Sequence, residues 1–297
     1  MKQLTVISGK GGTGKTTLTA AFAHLADNPV IADCDVDAAD LHLILSPQLV
    51  KQEPFYGGQL AWVDKEQCSR CGLCEETCRF GAIQESAINP TSCEGCGVCA
   101  YICPEKAISM KERLSGYWFI SDTKEGPMVH ARLGIAAENS GKLVSVVRQQ
   151  AKDLAEKEKK NLVLIDGPPG IGCPVIASIG GVDLVFVVTE PTLSGLHDLK
   201  RILEVADHFN IRAMVCINKF DINPDNTRMI ENYCEEKGIE LIGKIPYDPS
   251  VTRAMINVLS VVEYPCGEVT EEVKRVWRKV EEYLFAEPDT ANAAKIP

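Results

Sequence analysis

The 297-residue sequence has no basic run, and its 41 acidic residues against 31 lysines and arginines leave a net charge of −10. That balance removes the long-range attraction on which nonspecific nucleic-acid binding depends, so nucleic acid is not expected as a main partner. No apolar run approaches the length of a membrane span. The opening MKQLTVISGKGG is too short for the apolar region of a signal peptide. These absences predict a soluble, cytoplasmic protein without a membrane segment. Cysteine, by contrast, is abundant, but eight of the thirteen fall in two tight, regularly spaced runs, which points to metal rather than to a secreted disulfide framework.

Cys68, Cys71, Cys74 and Cys78 recur 25 residues later as Cys93, Cys96, Cys99 and Cys103, and Gly81-Ala82-Ile83 returns as Lys106-Ala107-Ile108. This is an internal duplication. The repeated segment lies between LVKQEPFYGGQ and LSGYWFISD, two polar, glycine-containing stretches that read as linkers. The expected organisation is therefore one domain in two parts, residues 1–60 and 113–297, interrupted by an insert at 61–112.

Outside the insert, apolar β-type runs (LTVIS, PVIAD, YWFIS, VHARLGI, NLVLIDG, DLVFVVT, AMVCIN, ELIGKI) alternate with amphipathic stretches such as 194–208 and 225–237. Such alternation predicts an α/β domain with a mainly parallel sheet flanked by helices. Near the C-terminus, Val269, Val273, Val276, Trp277, Val280 and Leu284 fall on one helical face. A closing helix packed on the domain is preferred to a membrane-targeting one, because the stretch is rich in glutamate and the final EPDTANAAKIP is polar.

Gly9, Lys10, Gly11, Gly12, Thr13, Gly14, Lys15 and Thr16 have the Walker A spacing, between a strand and a helix that begins near Thr17. Glycines there turn consecutive N–H groups toward phosphate oxygens, Lys15 reaches the β and γ phosphates, and the Thr16 hydroxyl serves Mg²⁺. Leu162-Val163-Leu164-Ile165-Asp166 reads as a Walker B strand, with Asp166 holding the Mg²⁺ shell and Gly167-Pro168-Pro169-Gly170 forming a switch beside it. The run Asp33-Cys34-Asp35-Val36-Asp37 ends a second buried strand in carboxylates. Asn218-Lys219-Phe220-Asp221, read alone, matches the signature by which GTPases pair an aspartate with guanine.

The second lysine of the loop, Lys10, resembles the deviant Walker A of the MinD/ParA/Mrp and nitrogenase iron-protein superfamily. The resemblance implies that Lys10 reaches across a dimer to the phosphates of the partner, so that hydrolysis reports dimerisation. It implies Asp35 as the first-switch aspartate, with Asp37 and Asp40 as the other candidates. It also implies Asn218 and Lys219, with Pro246 and Asp248 of the IPYDPSV segment, as the groups around an adenine. ATP is favoured over GTP on these grounds, and Asp221 is what keeps GTP in view.

The spacing C-x₂-C-x₂-C-x₃-C, with Pro104 after the second run, is that of bacterial two-cluster ferredoxins, although Arg79 stands where the first run would have proline. Three cysteines of a run wrap one cubane while the fourth reaches the other. One [4Fe–4S] cluster is thus expected on Cys68, Cys71, Cys74 and Cys103, and a second on Cys93, Cys96, Cys99 and Cys78. Zinc is the rival, disfavoured because two Cys₄ sites more often show separated pairs. Cys34 and Cys216 read as core, Cys234 and Cys266 carry no pattern, and Cys173, seven residues after Asp166, stands where the nitrogenase iron protein has a ligand to its bridging cluster. No cysteine between Cys103 and Cys173 supplies the second such ligand.

Taken whole, the chain resembles the MinD-superfamily P-loop ATPases with an inserted bacterial-type ferredoxin domain. That implies nucleotide-dependent dimerisation, as a homodimer or as a heterodimer with a related ATPase, without fixing a pathway. The leading hypothesis is that the ATP cycle gates electron transfer from two [4Fe–4S] clusters to a redox partner protein. A redox-sensing spatial regulator or scaffold, and an Mrp-like cluster carrier, are the alternatives.

Overall fold

A computed structural model of the chain describes residues 1–134 and 140–286. Strand β1 (Lys2–Ser8) is buried continuously from its third residue, as a strand covered on both faces requires. Helix α1 (Lys15–Leu25), strand β2 (Val30–Asp33) and the short α2 (Leu41–Leu45) follow. The long β3 (Gln48–Val63) leads to α3 (Leu73–Thr77), a minimal hairpin of β4 (Ile83–Gln84) and β5 (Ala87–Ile88), and α4 (Val98–Ile102). The chain returns along β6 (Ile108–Asp122) and β7 (Pro127–Leu133) into α5 (Ser140–Glu158). Strand and helix then alternate through β8 (Leu162–Pro169), α6 (Cys173–Ile179), β9 (Leu184–Thr189), α7 (Leu193–His208), β10 (Ala213–Asn218), α8 (Pro224–Lys237), β11 (Glu240–Ile245), α9 (Ser250–Ile256) and α10 (Glu268–Phe285).

Nine of these strands form one sheet in the order β11-β10-β9-β1-β8-β2-β7-β6-β3. Neighbours from β11 to β7 are parallel, and β6 alone runs against both its neighbours. The connection after β1 leads toward β2, whereas that after β8 leads back to β9, so the direction of winding reverses between β1 and β8. A crevice opens at the carboxyl ends of strands at such a reversal.

One apolar layer packs α1, α2, α9 and α10 on the sheet, and the other packs α5, α6, α7 and α8. Helix α10 buries Val269, Val273, Val276, Trp277, Val280 and Leu284, and its Trp277 meets Phe22 at 5.1 Å. It closes the domain. The polar tail from residue 287, and Ile135 of the VHARLGI run, lie outside the described residues.

The stretches flanking the cysteine segment are not linkers, contrary to the expectation from their polar, glycine-containing composition. LVKQEPFYGGQ lies within β3, and LSGYWFISD within β6. The two strands pair from Gln48 with Asp122 out to Val63 with Ile108. Because β7 accompanies β6 only over Gly116–Asp122, the outer half is a two-stranded ribbon leaving the sheet. The flanking stretches pair mostly in the inner half, Leu49–Phe55 against Gly116–Ser121, where β3 is the edge strand of the sheet and is exposed from Gln48 to Gln52, which accounts for its polar residues. Residues 64–107 sit at its end over a very small core, in which the buried members are Ala61, Val63, Ala82, Cys93 and Ile108.

Candidate functional site

The loop after β1 is held from two sides. A Cβ on Gly9 would fall 2.2 Å from the Cβ of Asp198 on α7, and one on Gly14 would fall 2.3 Å from the Asn218 amide nitrogen. Gly14 also adopts φ +93°, a conformation that side chains disfavour. Glycine at these two places allows the loop to pass between α7 and the end of β10. The Asn218 amide donates to the Thr13 carbonyl at 2.8 Å, and Lys219 Nζ to the Gly12 carbonyl at 3.0 Å.

At the crevice, Lys15 is buried and its ammonium lies 2.9 Å from Asp166 Oδ1 and 3.3 Å from Asp35 Oδ2. Asp166 also accepts from the hydroxyls of Thr16 (2.8 Å) and Thr19 (2.9 Å). Burial works against the charge on Lys15, yet Asp166 and Asp35 hold its pKa above the ordinary lysine value. Burial raises Asp35, with Lys15 opposing. Asp33 is fully buried behind them. Its Oδ1 accepts from the Asp35 N–H, its Oδ2 has no partner, and burial, reinforced by Asp166, pushes its carboxyl well above the usual range. Two carboxylates, Asp166 and Asp35, therefore flank one ammonium, with the protonation-prone Asp33 carboxyl and its orphaned oxygen behind them, an oxygen-rich arrangement that suits a divalent cation.

A cavity of about 530 Å³ opens over this cluster. Gly11, Gly12, Thr13, Gly14, Lys15, Thr16 and Thr17 line it at one side, with Asp35 and Asp40. Asn218, Lys219, Pro246 and Asp248 line it at the other. Gly9 and Lys10 do not. The Lys10 ammonium instead pairs with Glu190 at 2.5 Å and approaches the Ser194 hydroxyl at 3.4 Å. Asp37 is exposed. Asp221 is not among the lining residues, and its carboxylate accepts the N–H of Tyr247, which is, at 2.7 Å. Sequence reasoning missed Thr19, Asp33 as a member of the site, and Glu190. Thr19 was legible as one helical turn beyond Lys15, whereas nothing local marks Glu190.

At the ribbon tip, one cavity of about 300 Å³ is lined by Cys93, Cys96, Cys99 and Cys78, and a smaller one of about 20 Å³ by Cys68, Cys71, Cys74 and Cys103. The 25-residue duplication is built into the backbone. Left-handed conformations recur at Arg70 and Gly95, at Gly72 and Gly97, and at Gly81 and Lys106. Helices α3 and α4 repeat at the same offset. The N–H of Ala82 points at Cys78 Sγ (3.4 Å), and that of Ala107 at Cys103 Sγ (3.3 Å). Burial raises the thiols of Cys74 and Cys99. Of the remaining cysteines, Cys34, Cys216, Cys234 and Cys266 are buried, and Cys173 is exposed at the start of α6.

Comparison with known proteins gives the lineage. A profile described as "CobQ/CobB/MinD/ParA nucleotide binding domain" matches residues 4–261. The chain belongs to this family. It is a P-loop ATPase, and ATP with Mg²⁺ is the ligand set consistent with its site. An uncharacterized protein of Methanocaldococcus jannaschii is 32% identical over 95% of this chain and 97% of its own length. Among solved structures, the cell division ATPase MinD of Pyrococcus furiosus superposes with a TM-score of 0.59 at 19% identity, over 95% of this chain and 98% of that one. An ATP complex of Cyanothece McdA(D38A) gives 0.58 at 16% identity, over 96% of each chain. These two likenesses bear on the fold.

Among the described residues, no helix is long and apolar enough to cross a membrane.

Proposed function

We propose that this ATPase carries two [4Fe–4S] clusters at the end of its β3–β6 ribbon and couples their redox state to nucleotide-driven dimerisation. The observation that carries the reading is the sharing of cysteines between the two cavities, three from one run and the fourth from the other in each case. None of the descriptions quoted above names an iron–sulfur module, so this part rests on the chain's own cysteines.

The donor set suits such clusters better than zinc. Zn–S bonds of about 2.3 Å place tetrahedral sulfurs about 3.8 Å apart. Among the described residues, no three cysteine sulfurs lie within 4.8 Å of one another. A cubane spreads its thiolates more widely, and backbone N–H groups aimed at sulfur, like those of Ala82 and Ala107, favour the anionic ligand. In this reading Cys68, Cys71, Cys74 and Cys103 hold one cluster, and Cys93, Cys96, Cys99 and Cys78 the other, within an insert at about 61–112. The clusters supply one-electron transfer. Holding 64–107 folded also falls to them, since five buried residues are too small a core for a free-standing unit.

In the nucleotide site, Lys15 and the loop N–H groups hold the phosphates, Thr16 and Asp166 hold Mg²⁺, and Asp35 orients the attacking water. Asn218, Lys219, Pro246 and Asp248 surround the base. Lys10 completes the site of a second copy, or of a related ATPase, on dimer formation. A Mg-ADP complex of Pyrococcus horikoshii MinD, 18% identical to this chain, and the Cyanothece ATP complex support an adenine nucleotide.

Two outputs follow from such coupling. Electron delivery to a redox partner protein is one. The other is a spatial regulator or scaffold whose assembly is set by ATP and adjusted by cluster oxidation state, and the cell-division proteins and the plasmid partition protein among the matches favour it. The test uses anaerobically reconstituted protein, with iron, labile sulfide and ATP turnover measured in oxidised and reduced states. About eight irons per chain and a turnover that differs between the states are expected. Protein without labile sulfide would remove the clusters, and equal turnover and equal dimerisation in both states would remove the coupling.

A further inference from the structure

Far from the nucleotide, three segments remote in sequence bring charged groups together. His24 stands in the last turn of α1, Glu125 in the turn between β6 and β7, and Glu263 in the segment between α9 and α10. The His24 Nδ1 lies 3.6 Å from Glu125 Oε1 and 4.0 Å from Glu263 Oε1. Among the described residues this is the only trio of histidine, cysteine or acidic side chains whose donor atoms all fall within 4.8 Å.

Glu125 is the informative member. Its side chain is only 2% exposed, and neither carboxylate oxygen has a hydrogen-bond partner. A buried carboxylate left without donors is costly, so its surroundings call for a cation. The cations at hand are makeshift. Lys124 stands 3.5 Å from Glu125 Oε1 with its side chain half exposed, and it also pairs with Glu263. Glu263 is held for its own part by the Ser260 N–H, which donates to Oε2 and leaves Oε1 turned toward His24 and Lys124. Separations of 3.6 and 4.0 Å are too long for hydrogen bonds. The shorter matches the spacing, about 3.3–3.6 Å, of neighbouring tetrahedral ligands on an ion with bonds of about 2.0–2.2 Å, and the longer exceeds it by about 0.4 Å. A surface cavity of about 460 Å³, lined by His24, Thr123, Lys124 and Glu125, provides an entry path.

We infer that His24, Glu125 and Glu263 form a binding site for a divalent first-row metal ion, with the Lys124 ammonium as its resident competitor. One imidazole and two carboxylates are borderline-hard ligands of the kind that take Mn²⁺, Fe²⁺ or Zn²⁺. The position gives the ion a mechanical part. Helix α1 begins at Lys15 and carries His24 in its last turn, while the β6–β7 turn carrying Glu125 follows the strand whose far end holds the cysteine segment. The ion would tie the in-sheet end of β6, opposite the ribbon, to the phosphate-loop helix. This inference does not depend on the clusters.

Mn²⁺ is the probe, because thiolates take it poorly. Full-length protein prepared anaerobically and free of nucleotide is titrated with Mn²⁺, bound ion being counted from the loss of the aqua-ion paramagnetic resonance signal and thermal unfolding followed in parallel. The expected result is a Mn²⁺, additional to any held at the carboxylates of the nucleotide site, that raises the Tm of the wild type, binds roughly tenfold or more weakly in Glu125→Gln and His24→Ala, and binds more tightly in Lys124→Ala. Glu263→Gln serves if Glu125→Gln does not fold. No Mn²⁺ bound in the wild type, or a bound ion equally tight in the wild type, His24→Ala and Glu263→Gln, would overturn the site.

Discussion

The ammonium of Lys10 is paired with the carboxylate of Glu190 in its own chain, at 2.5 Å. Glu190 also faces Lys219 at 3.8 Å, so one carboxylate restrains two cations at the mouth of the phosphate loop. A lysine meant for a neighbouring subunit's phosphates must first leave this partner. Lys10→Ala should therefore bind nucleotide normally but lose turnover on the order of 10³-fold, the lower end of what a cation supplied in trans contributes. Glu190→Gln should release Lys10 and speed ATP-dependent dimer formation, as followed by light scattering. Unaltered hydrolysis in Lys10→Ala would remove the trans-lysine role.

The buried carboxyl of Asp33 yields a prediction about stability. Its pKa in the folded protein lies above the ordinary value, so the folded state holds a proton that the unfolded chain has released. Stability contributed at this position falls as pH rises from the ordinary carboxylate range, about 4, through the raised folded value. Asp33→Asn should abolish that loss. Without nucleotide or magnesium the variant should melt higher at neutral pH, by about 2–4 °C for each kcal/mol recovered, and the gain should shrink toward pH 4. Calorimetry at three pH values decides, and a lower Tm at neutral pH would show that the charge is needed.

Base preference can be read from Asp221. Its carboxylate accepts the Tyr247 N–H and so braces the segment containing Pro246 and Asp248. A group so employed is poorly placed to read guanine. ATP should outcompete GTP for the site, and Asp221→Ala should weaken ATP binding only modestly, by a few-fold, the scale of one hydrogen bond in an exposed position. Competition against a fluorescent ATP analogue measures both, and a preference for GTP that vanishes in Asp221→Ala would reverse the assignment.

Much of the site was legible in the sequence because its residues act locally. The phosphate loop, the strand ending at Asp166 and the closing helix are each specified by neighbours within one element. Strand β3 was not legible, since it runs as an exposed edge strand over Gln48–Gln52 and then enters a ribbon with no third strand, and so begins without the apolar alternation that marks a half-buried strand. Residues 49–59 therefore read as a linker. Glu190 was missed for a different reason: its role depends on Lys10 and Lys219, which reach it from two other loops, and no spacing in one sequence reveals such a meeting. The trio of His24, Glu125 and Glu263 is likewise a product of tertiary convergence.

Cysteine sharing predicts a crossed pattern of loss. Cys78 belongs by sequence to the first run but lines the cavity of the second. Cys78→Ser should disturb the cluster held by Cys93, Cys96 and Cys99 and leave the other intact, lowering iron from about eight to about four per chain. Cys103→Ser should do the converse. Iron and sulfide analysis with spectra of the reduced protein distinguishes the two, and loss confined to the mutated run would contradict the sharing.

The most direct test of coupling is the midpoint potential of the clusters, measured anaerobically with no nucleotide, with ADP and with ATP and Mg²⁺. A coupling of about 1–3 kcal/mol between sites corresponds to a shift of roughly 40–130 mV for one electron. A displacement of that order with ATP, absent in Lys15→Ala, is the predicted result. Potentials that are the same in all three conditions would contradict the account.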